Sequence, residues 1–249
     1  MTAAGAPVAV VMVGGRGERL RPLTDHVPKP LLEIGGEPIV ERILRRLAAA
    51  GITDVWLTVN YLAQAFEDVI GDGSRLGINV RYVHEQEPLG TAGALGLLPR
   101  EAVTGPVVVT NGDIVTDLDF ADLVAHHRGQ GAHLTVCGVE HETQVPYGVL
   151  RTAPDGEGFV VLEGIDEKPV RRDLVSAGIY VVDPQLLDLV PPGRLFGMPD
   201  LIERALAGGS TVGVHRIAGD WYDIGSHDEF QRVSLIFEPG KAHTEEKQA

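Results

Sequence analysis

The sequence predicts an α/β fold in which helices flank a mostly parallel sheet and a smaller lobe is built onto the second half. Three observations carry this prediction. Runs rich in Val, Ile and Thr recur at residues 8–13, 54–60, 78–83, 106–111 and 132–139, helix-like segments separate several of them, and beyond Tyr147 the strands become shorter. Alternating strands and helices are the pattern of βαβ units, whose parallel strands are covered on both faces. A chain of 249 residues with 44% hydrophobic content can bury a full core, and one domain over residues 1–239 is the simplest division.

The first run, 8–13, ends in the glycines of "GGRGER", so a ligand-binding turn after a strand is the first expectation. Pro38 opens a helix with Ile39, Ile43, Leu44 and Leu47 on one face, and Gly51 ends it. The strand at 54–60 follows at once. The second half shows shorter strands at 148–151, 159–162 and 176–182, two short helices, and a last strand near 212–217. Residues 240–249 are polar and without apolar period, which predicts a flexible tail. No repeat at solenoid periods is present.

Charge and composition narrow the function. The formal net charge of −14 argues against nucleic acid or an anionic membrane surface, since both require a basic face. The start, "MTAAGAP", has neither a basic nor an apolar leader region and no run is long enough to span a bilayer, so a cytoplasmic location is expected. Cys137 is the single cysteine, which leaves no disulfide framework and predicts a buried strand residue. The histidines lack metal spacing, and His126 and His127 read as surface or helix residues.

In open α/β sheets ligands bind beyond the carboxyl ends of the strands. Four segments fall at strand ends: 14–21, the "GD" at 112–113, the "EKP" at 167–169 and "WYDIGS" at 221–226. The first has Gly15 and Gly17 but Leu20 where a dinucleotide fingerprint needs its third glycine, which argues against a nicotinamide-dependent dehydrogenase. It also places Arg16, Arg19 and Arg21 within six residues of a strongly acidic chain. Together with backbone N–H groups freed by the glycines, these suit a triphosphate.

Only four lysines stand against seventeen arginines, and the two that lie outside the tail, Lys29 in "PKP" and Lys168 in "EKP", each precede a proline. That position predicts extended backbone at both. A compact, movable ammonium suits phosphate oxygens that shift during a reaction. Asp113 and Asp223 come from separate strand ends, and two such carboxylates can hold one Mg²⁺ whose remaining ligands are water or phosphate oxygens.

In this order, "GGRGERLRPLT", "PKPLLEIGGEPIVERIL", "EPLGTAGAL", "NGD", "PYGVL", "EKP", "SAGIYV" and "YDIGS" closely resemble the sugar-nucleotidyltransferases, also called nucleoside-diphospho-sugar pyrophosphorylases. In pattern the chain is most similar to the short mannose or heptose 1-phosphate guanylyltransferase-like members. The resemblance covers residues 8–230. It implies a Rossmann-like fold, a nucleotide-binding half at 1–145 and a sugar-binding lobe at 146–225. It implies that a nucleoside triphosphate is joined to a sugar 1-phosphate or sugar-like phosphate, giving an NDP-sugar and pyrophosphate. Arg19, Lys29 and Lys168 are implied as catalytic, and Gly14, Gly15, Gly17, Glu85, Gly90 and Thr91 as nucleotide-binding. Asn111, Tyr147, Gly148, Glu167 and Ser176 are implied around the sugar, and Asp113 and Asp223 on Mg²⁺, for which Mn²⁺ can substitute. A homo-oligomer is compatible with the pattern. Val13 stands where many members have alanine, and Ser176 replaces the asparagine common before "AGIY".

The chemistry of the residues agrees with this. A sugar phosphate with a second pKa near 6 is mostly dianionic at neutral pH, so its oxygen can attack the α-phosphorus without a general base. Positioning and charge neutralisation are what remain for the protein. The resemblance places a base-reading side chain at Glu85. An ionised carboxylate only accepts hydrogen bonds, and guanine offers two adjacent donors, N1–H and the 2-amino group. GTP is therefore favoured. A dTTP- or UTP-dependent enzyme, and a nucleotide-sugar-binding relative without turnover, remain as alternatives.

Overall fold

The computed structural model describes residues 5–238 apart from 155 and 157; the expected tail at 240–249 lies outside the described residues. In the first half the elements are β1 (Val8–Met12), β2 (Glu33–Ile34), β3 (Glu37–Pro38), α1 (Ile39–Ala49), β4 (Asp54–Val59), α2 (Ala63–Ile70), β5 (Asn79–His84), α3 (Gly90–Gly93) and β6 (Val107–Asn111). There follow β7 (Ile114–Thr116), α4 (Phe120–Gln130), β8 (Leu134–Gln144), β9 (Val149–Pro154), β10 (Val160–Asp166) and β11 (Val170–Val182). The chain continues with α5 (Met198–Ala207), β12 (Val212–Arg216), β13 (Trp221–Asp223) and α6 (His227–Ile236).

Seven strands form one sheet in the order β12-β8-β11-β6-β1-β4-β5. Its neighbours pair in parallel except for β11, which runs antiparallel between β8 and β6. In β1 the β-branched run explains itself: Val8 and Val10 pack into the apolar layer of α5, while Ala9 and Val11 pack into that of α1, α2 and α4. Both faces of the strand are covered, as a buried parallel strand requires.

β4 and β5 extend the sheet on one side of β1, and β6 returns to the other. The order of the strands thus reverses at β1 and β6, and the crevice beyond their carboxyl ends is where such a fold offers a ligand site.

The predicted strands and the helix opened by Pro38 are present, with Gly51 in a left-handed conformation (φ 74°) just past α1, but the strands beyond Tyr147 are not all shorter, since pairing with β8 extends β11 to 13 residues. Cys137 is fully buried in β8, as expected. His126 and His127 lie on α4, as the helix reading expects, but His127 is not at the surface: it is buried between the Thr135 hydroxyl, 2.8 Å from Nδ1, and Asp183, 3.2 Å from Nε2. The short β7–β13 pair and α6 are additions that the strand and helix reading did not separate. Ser226 caps α6 by accepting from the Glu229 N–H at 3.2 Å, and Ser226 with Glu229 is the sequence signature of a helix start.

Within residues 146–225, β12 and the C-terminal part of β11 belong to the central sheet. What stands apart is the β9–β10 hairpin, together with the exposed outer stretches of β8 and β11. No helix among the described residues is long and apolar enough to cross a membrane.

Candidate active site

The cleft at the strand reversal has a volume of about 490 Å³ and is lined by Gly14, Gly15, Arg16, Gly17, Arg19, Lys29 and Asp113, among others. Its floor is the loop after β1. Leu20 anchors that loop in a buried cluster with Ile34, Ile39, Val115, Ile224 and Val233, while the Thr24 hydroxyl donates to the Gly17 carbonyl at 2.9 Å. Gly17 has φ 61°, and a Cβ there would meet Lys29 Cβ and Thr24 Cγ2, each at 3.0 Å. Both its backbone angle and its neighbours therefore require glycine. Gly15 has nothing within 4 Å of a built Cβ and leaves its backbone open to the cleft. Arg16 and Arg19 are exposed there, whereas Arg21 pairs with Asp25 at 3.4 Å. The expected trio of arginines is thus reduced to two.

Asp113 follows β6, and Asp223 closes β13. The two strands are brought together because Asp223 pairs with Ile114, and the Ile224 N–H donates to the Asp113 carbonyl at 3.1 Å. Gly112 is needed beside Asp113, since a Cβ would come within 2.5 Å of Val13 Cγ1 and 2.9 Å of the Met12 carbonyl. Between the carboxylates sits Lys29, which is buried. Its ammonium donates to Asp113 Oδ2 at 2.5 Å and lies 3.9 Å from Asp223 Oδ1. Burial, and then the neighbouring Asp113, push the Asp223 carboxyl above the ordinary range, against the pull of Lys29 and Arg19. The Arg19 guanidinium lies beside Gly225, with nitrogens 3.5 and 3.6 Å from where a Cβ would stand.

Neither internal lysine has the extended backbone its following proline predicts. Lys29 opens a short 3₁₀ turn, Lys29–Leu31, closed by the Leu32 N–H to the Lys29 carbonyl at 3.1 Å. Lys168 has φ 45°. A non-glycine residue in the left-handed region is uncommon and costs on the order of 1–3 kcal/mol.

Glu85 stands at the end of β5, where Oε2 accepts the Leu89 N–H at 2.8 Å and Oε1 lies 3.2 Å from the Cβ position of Gly14. Burial raises its pKa, opposed by that N–H and by the Thr58 hydroxyl. Asn60 ties the ends of β4 and β5 by donating to the Glu85 carbonyl at 2.7 Å. Gly90 (φ 78°) packs on the Phe196 carbonyl, and Thr91 accepts the Met198 N–H at 2.8 Å, capping α5. Of the segment 85–91, Pro88 is the residue that lines the cleft.

The sugar-side residues fall in two groups. Asn111 sits against Gly178, whose added Cβ would be 2.5 Å from its amide nitrogen, within the irregular stretch of β11 that begins at Ser176. Ser176 Oγ is 2.9 Å from the Tyr180 hydroxyl. Trp221 Nε1 donates to the Ala177 carbonyl at 2.9 Å, which joins this stretch to the strand carrying Asp223. The second group, Tyr147, Gly148, Glu167 and Lys168, lies at the base of the β9–β10 hairpin. There Glu167 Oε2 is 3.0 Å from the Cβ position of Gly148, and the Val145 N–H donates to the Pro169 carbonyl at 3.0 Å. None of these four lines the cleft. Sequence reasoning flagged the motifs that hold Trp221, Gly225 and Tyr180 but gave these residues no role of their own, and it missed that Lys29 contacts both aspartates.

Residues 8–238 match the nucleotidyl transferase family. A mannose-1-phosphate guanylyltransferase of Mycobacterium tuberculosis is 35% identical over 228 residues, 91% of this chain and 63% of that protein. The chain spans less than two thirds of the length of the first such relatives. Among solved structures, a putative glucose-1-phosphate thymidylyltransferase from Bacillus anthracis in complex with a sucrose superposes with a TM-score of 0.75 at 23% identity, covering 96% of this chain and 98% of that one. HddC from Yersinia pseudotuberculosis complexed with GMP-PN does so with a TM-score of 0.71 at 22% identity, covering 94% and 100%.

Proposed function

We propose, because this chain belongs to the nucleotidyl transferase family, that it joins GTP to a sugar 1-phosphate, with mannose 1-phosphate favoured, and releases pyrophosphate. The observation that carries the reading is the cleft itself, where an open glycine loop and Arg19 face a buried lysine between two aspartates. The printed names of the relatives support guanine and mannose.

Arg16, Arg19 and the N–H groups of the loop at 14–17 bind and orient the triphosphate. Lys29 neutralises charge beside the α-phosphorus. Asp113 and Asp223 would hold a divalent cation, Mg²⁺ or Mn²⁺. The donor set fits such an ion: two carboxylates already converge on a cation, the Lys29 ammonium. Among the described residues no group of three or more His, Cys, Asp or Glu forms a closed cage, and Mg²⁺ is commonly held by one or two carboxylates plus phosphates. When bound, the ion supplies charge neutralisation for the reacting phosphates.

The sugar phosphate oxygen attacks the α-phosphorus as the bond to the bridging oxygen of the leaving pyrophosphate breaks. Asn111, Ser176, Tyr147, Gly148 and Glu167 position the sugar, and Lys168 meets its phosphate. Glu85 accepts from the guanine edge through the oxygen that faces Gly14, while its other oxygen is held by Leu89. Gly90 and Thr91 act through the turn they shape.

Pyrophosphate release from a panel of nucleoside triphosphates and sugar 1-phosphates tests the proposal. GTP with mannose 1-phosphate is expected to give the highest specificity constant. A higher constant with dTTP or UTP, or no release with any pair, overturns it.

A further inference from the structure

The Lys29 ammonium occupies a place that the proposed function needs twice. It donates to Asp113 Oδ2 at 2.5 Å and stands 3.9 Å from Asp223 Oδ1. A divalent cation bridging these two oxygens would sit at roughly 2.0–2.1 Å from each, in the space between the carboxylates where the ammonium now stands. The lysine is buried, and its Cβ is fixed against Gly17 in the floor of the phosphate loop. Pro28 and Pro30 bracket it, and Leu31 beside it is buried as well. Its stem is therefore held, while the four-carbon chain leaves the head group free to swing. Arg19, exposed beside Gly225, is the other cation that acts on Asp223.

We infer that Lys29 is a resident counter-ion for the aspartate pair, which a divalent metal must displace and which then turns to the phosphates of the incoming nucleotide. The inference rests on Asp113 and Asp223 being the metal pair. Leaving two neighbouring carboxylates without a cation in a partly buried site would be costly, and the lysine offsets part of that cost until substrate arrives. Displacing it is equally unfavourable unless the ammonium finds another anion within reach. Triphosphate oxygens on the glycine loop are that anion. Metal and triphosphate thus favour each other's binding, because each supplies the partner that the other takes away, and the coupling is reciprocal. Free metal alone should bind weakly, which keeps the pair from being blocked between turnovers.

The test is a titration of the nucleotide-free protein with Mn²⁺, read by the paramagnetic resonance of unbound Mn²⁺, for wild type, Lys29→Met and the double variant Lys29→Met/Asp113→Asn. Lys29→Met should bind Mn²⁺ at least about tenfold more tightly than wild type, since a positive charge about 4 Å from the ion is removed. The double variant should lose that gain. Equal or weaker binding by Lys29→Met overturns the counter-ion role, and weaker binding still by the double variant leaves the metal pair standing. No Mn²⁺ binding in any form overturns both. Thermal melting covers the case in which Lys29→Met folds poorly: Mn²⁺ should raise its Tm more than that of wild type. A variant that Mn²⁺ fails to restore also overturns the inference.

Discussion

The cleft beyond β1 and β6 and the β9–β10 hairpin differ in how the fold holds them. The cleft gathers residues from segments far apart in sequence, and each rests on something buried: Leu20 under the glycine loop, Val115 and Ile224 beside the aspartates, and Pro30 and Leu31 after Lys29. The hairpin carries Leu150, Leu162 and Ile165 largely exposed, and Tyr147 at its base is 74% exposed. Under the proposed roles, the charged groups of the cleft are set by the core, whereas Tyr147, Gly148, Glu167 and Lys168 at the hairpin base stand on a segment whose changes cost the fold little.

If that contrast is right, the cleft should yield the largest losses of activity. Asp113→Asn should lower turnover by about 10²–10³-fold, the scale of losing one preorganised electrostatic contact, and should raise the metal concentration needed for half-maximal rate. Full activity of this variant in excess chelator would break the cleft side of the comparison.

On the hairpin side, Lys168→Ala should lower turnover by about 10²-fold while isothermal titration shows GTP binding unchanged. Loss of GTP binding in a folded variant would move Lys168 to the nucleotide and erase the division of labour.

Between the two stands Glu85, tethered to Leu89 yet facing Gly14. Glu85→Gln should lose roughly 1–3 kcal/mol of the preference for GTP over dTTP, the scale of leaving one partly buried hydrogen-bond donor without its partner. Specificity constants for both nucleotides in both proteins decide it, and an unchanged ratio removes Glu85 from base reading.

The smallest effect is on stability. A raised Asp223 pKa means that the folded chain holds this proton more tightly than the unfolded chain does. The ionised group therefore costs stability at neutral pH, and the cost fades as pH falls through the folded pKa toward the ordinary carboxylate value. Asp223→Asn should raise Tm at pH 7, and the gain should shrink toward about pH 4. A lowered or unchanged Tm at pH 7 would show that Lys29 outweighs burial there.

The strands, α1 and the reversal at β1 were legible because β-branched runs, a proline at a helix start and glycines at strand ends leave local signals. The lysines show where local signals stop. Each precedes a proline, which predicts extended backbone, yet tertiary packing places Lys29 in a buried turn and Lys168 in the left-handed region. Lys29 and Asp113 are 84 positions apart, and nothing local to "PKP" or "NGD" records that they touch. Trp221 lies in the segment 221–226 that the sequence singles out, yet its contact was hidden for the same reason: its partner, the Ala177 carbonyl, belongs to an irregular strand stretch that only pairing reveals. Ser226 with Glu229 did carry a local signal, and the capped helix it starts could have been read from it.

In the proposed reaction the charges of the cleft bring two anions together, and no protein group takes the nucleotidyl unit. Exchange of labelled pyrophosphate into GTP tests this most directly. The label should enter GTP when sugar 1-phosphate is present and should fail to enter when it is omitted, since only the sugar phosphate can attack the α-phosphorus. Exchange in the absence of sugar phosphate would mean that a side chain carries the nucleotidyl group, and would contradict the claim.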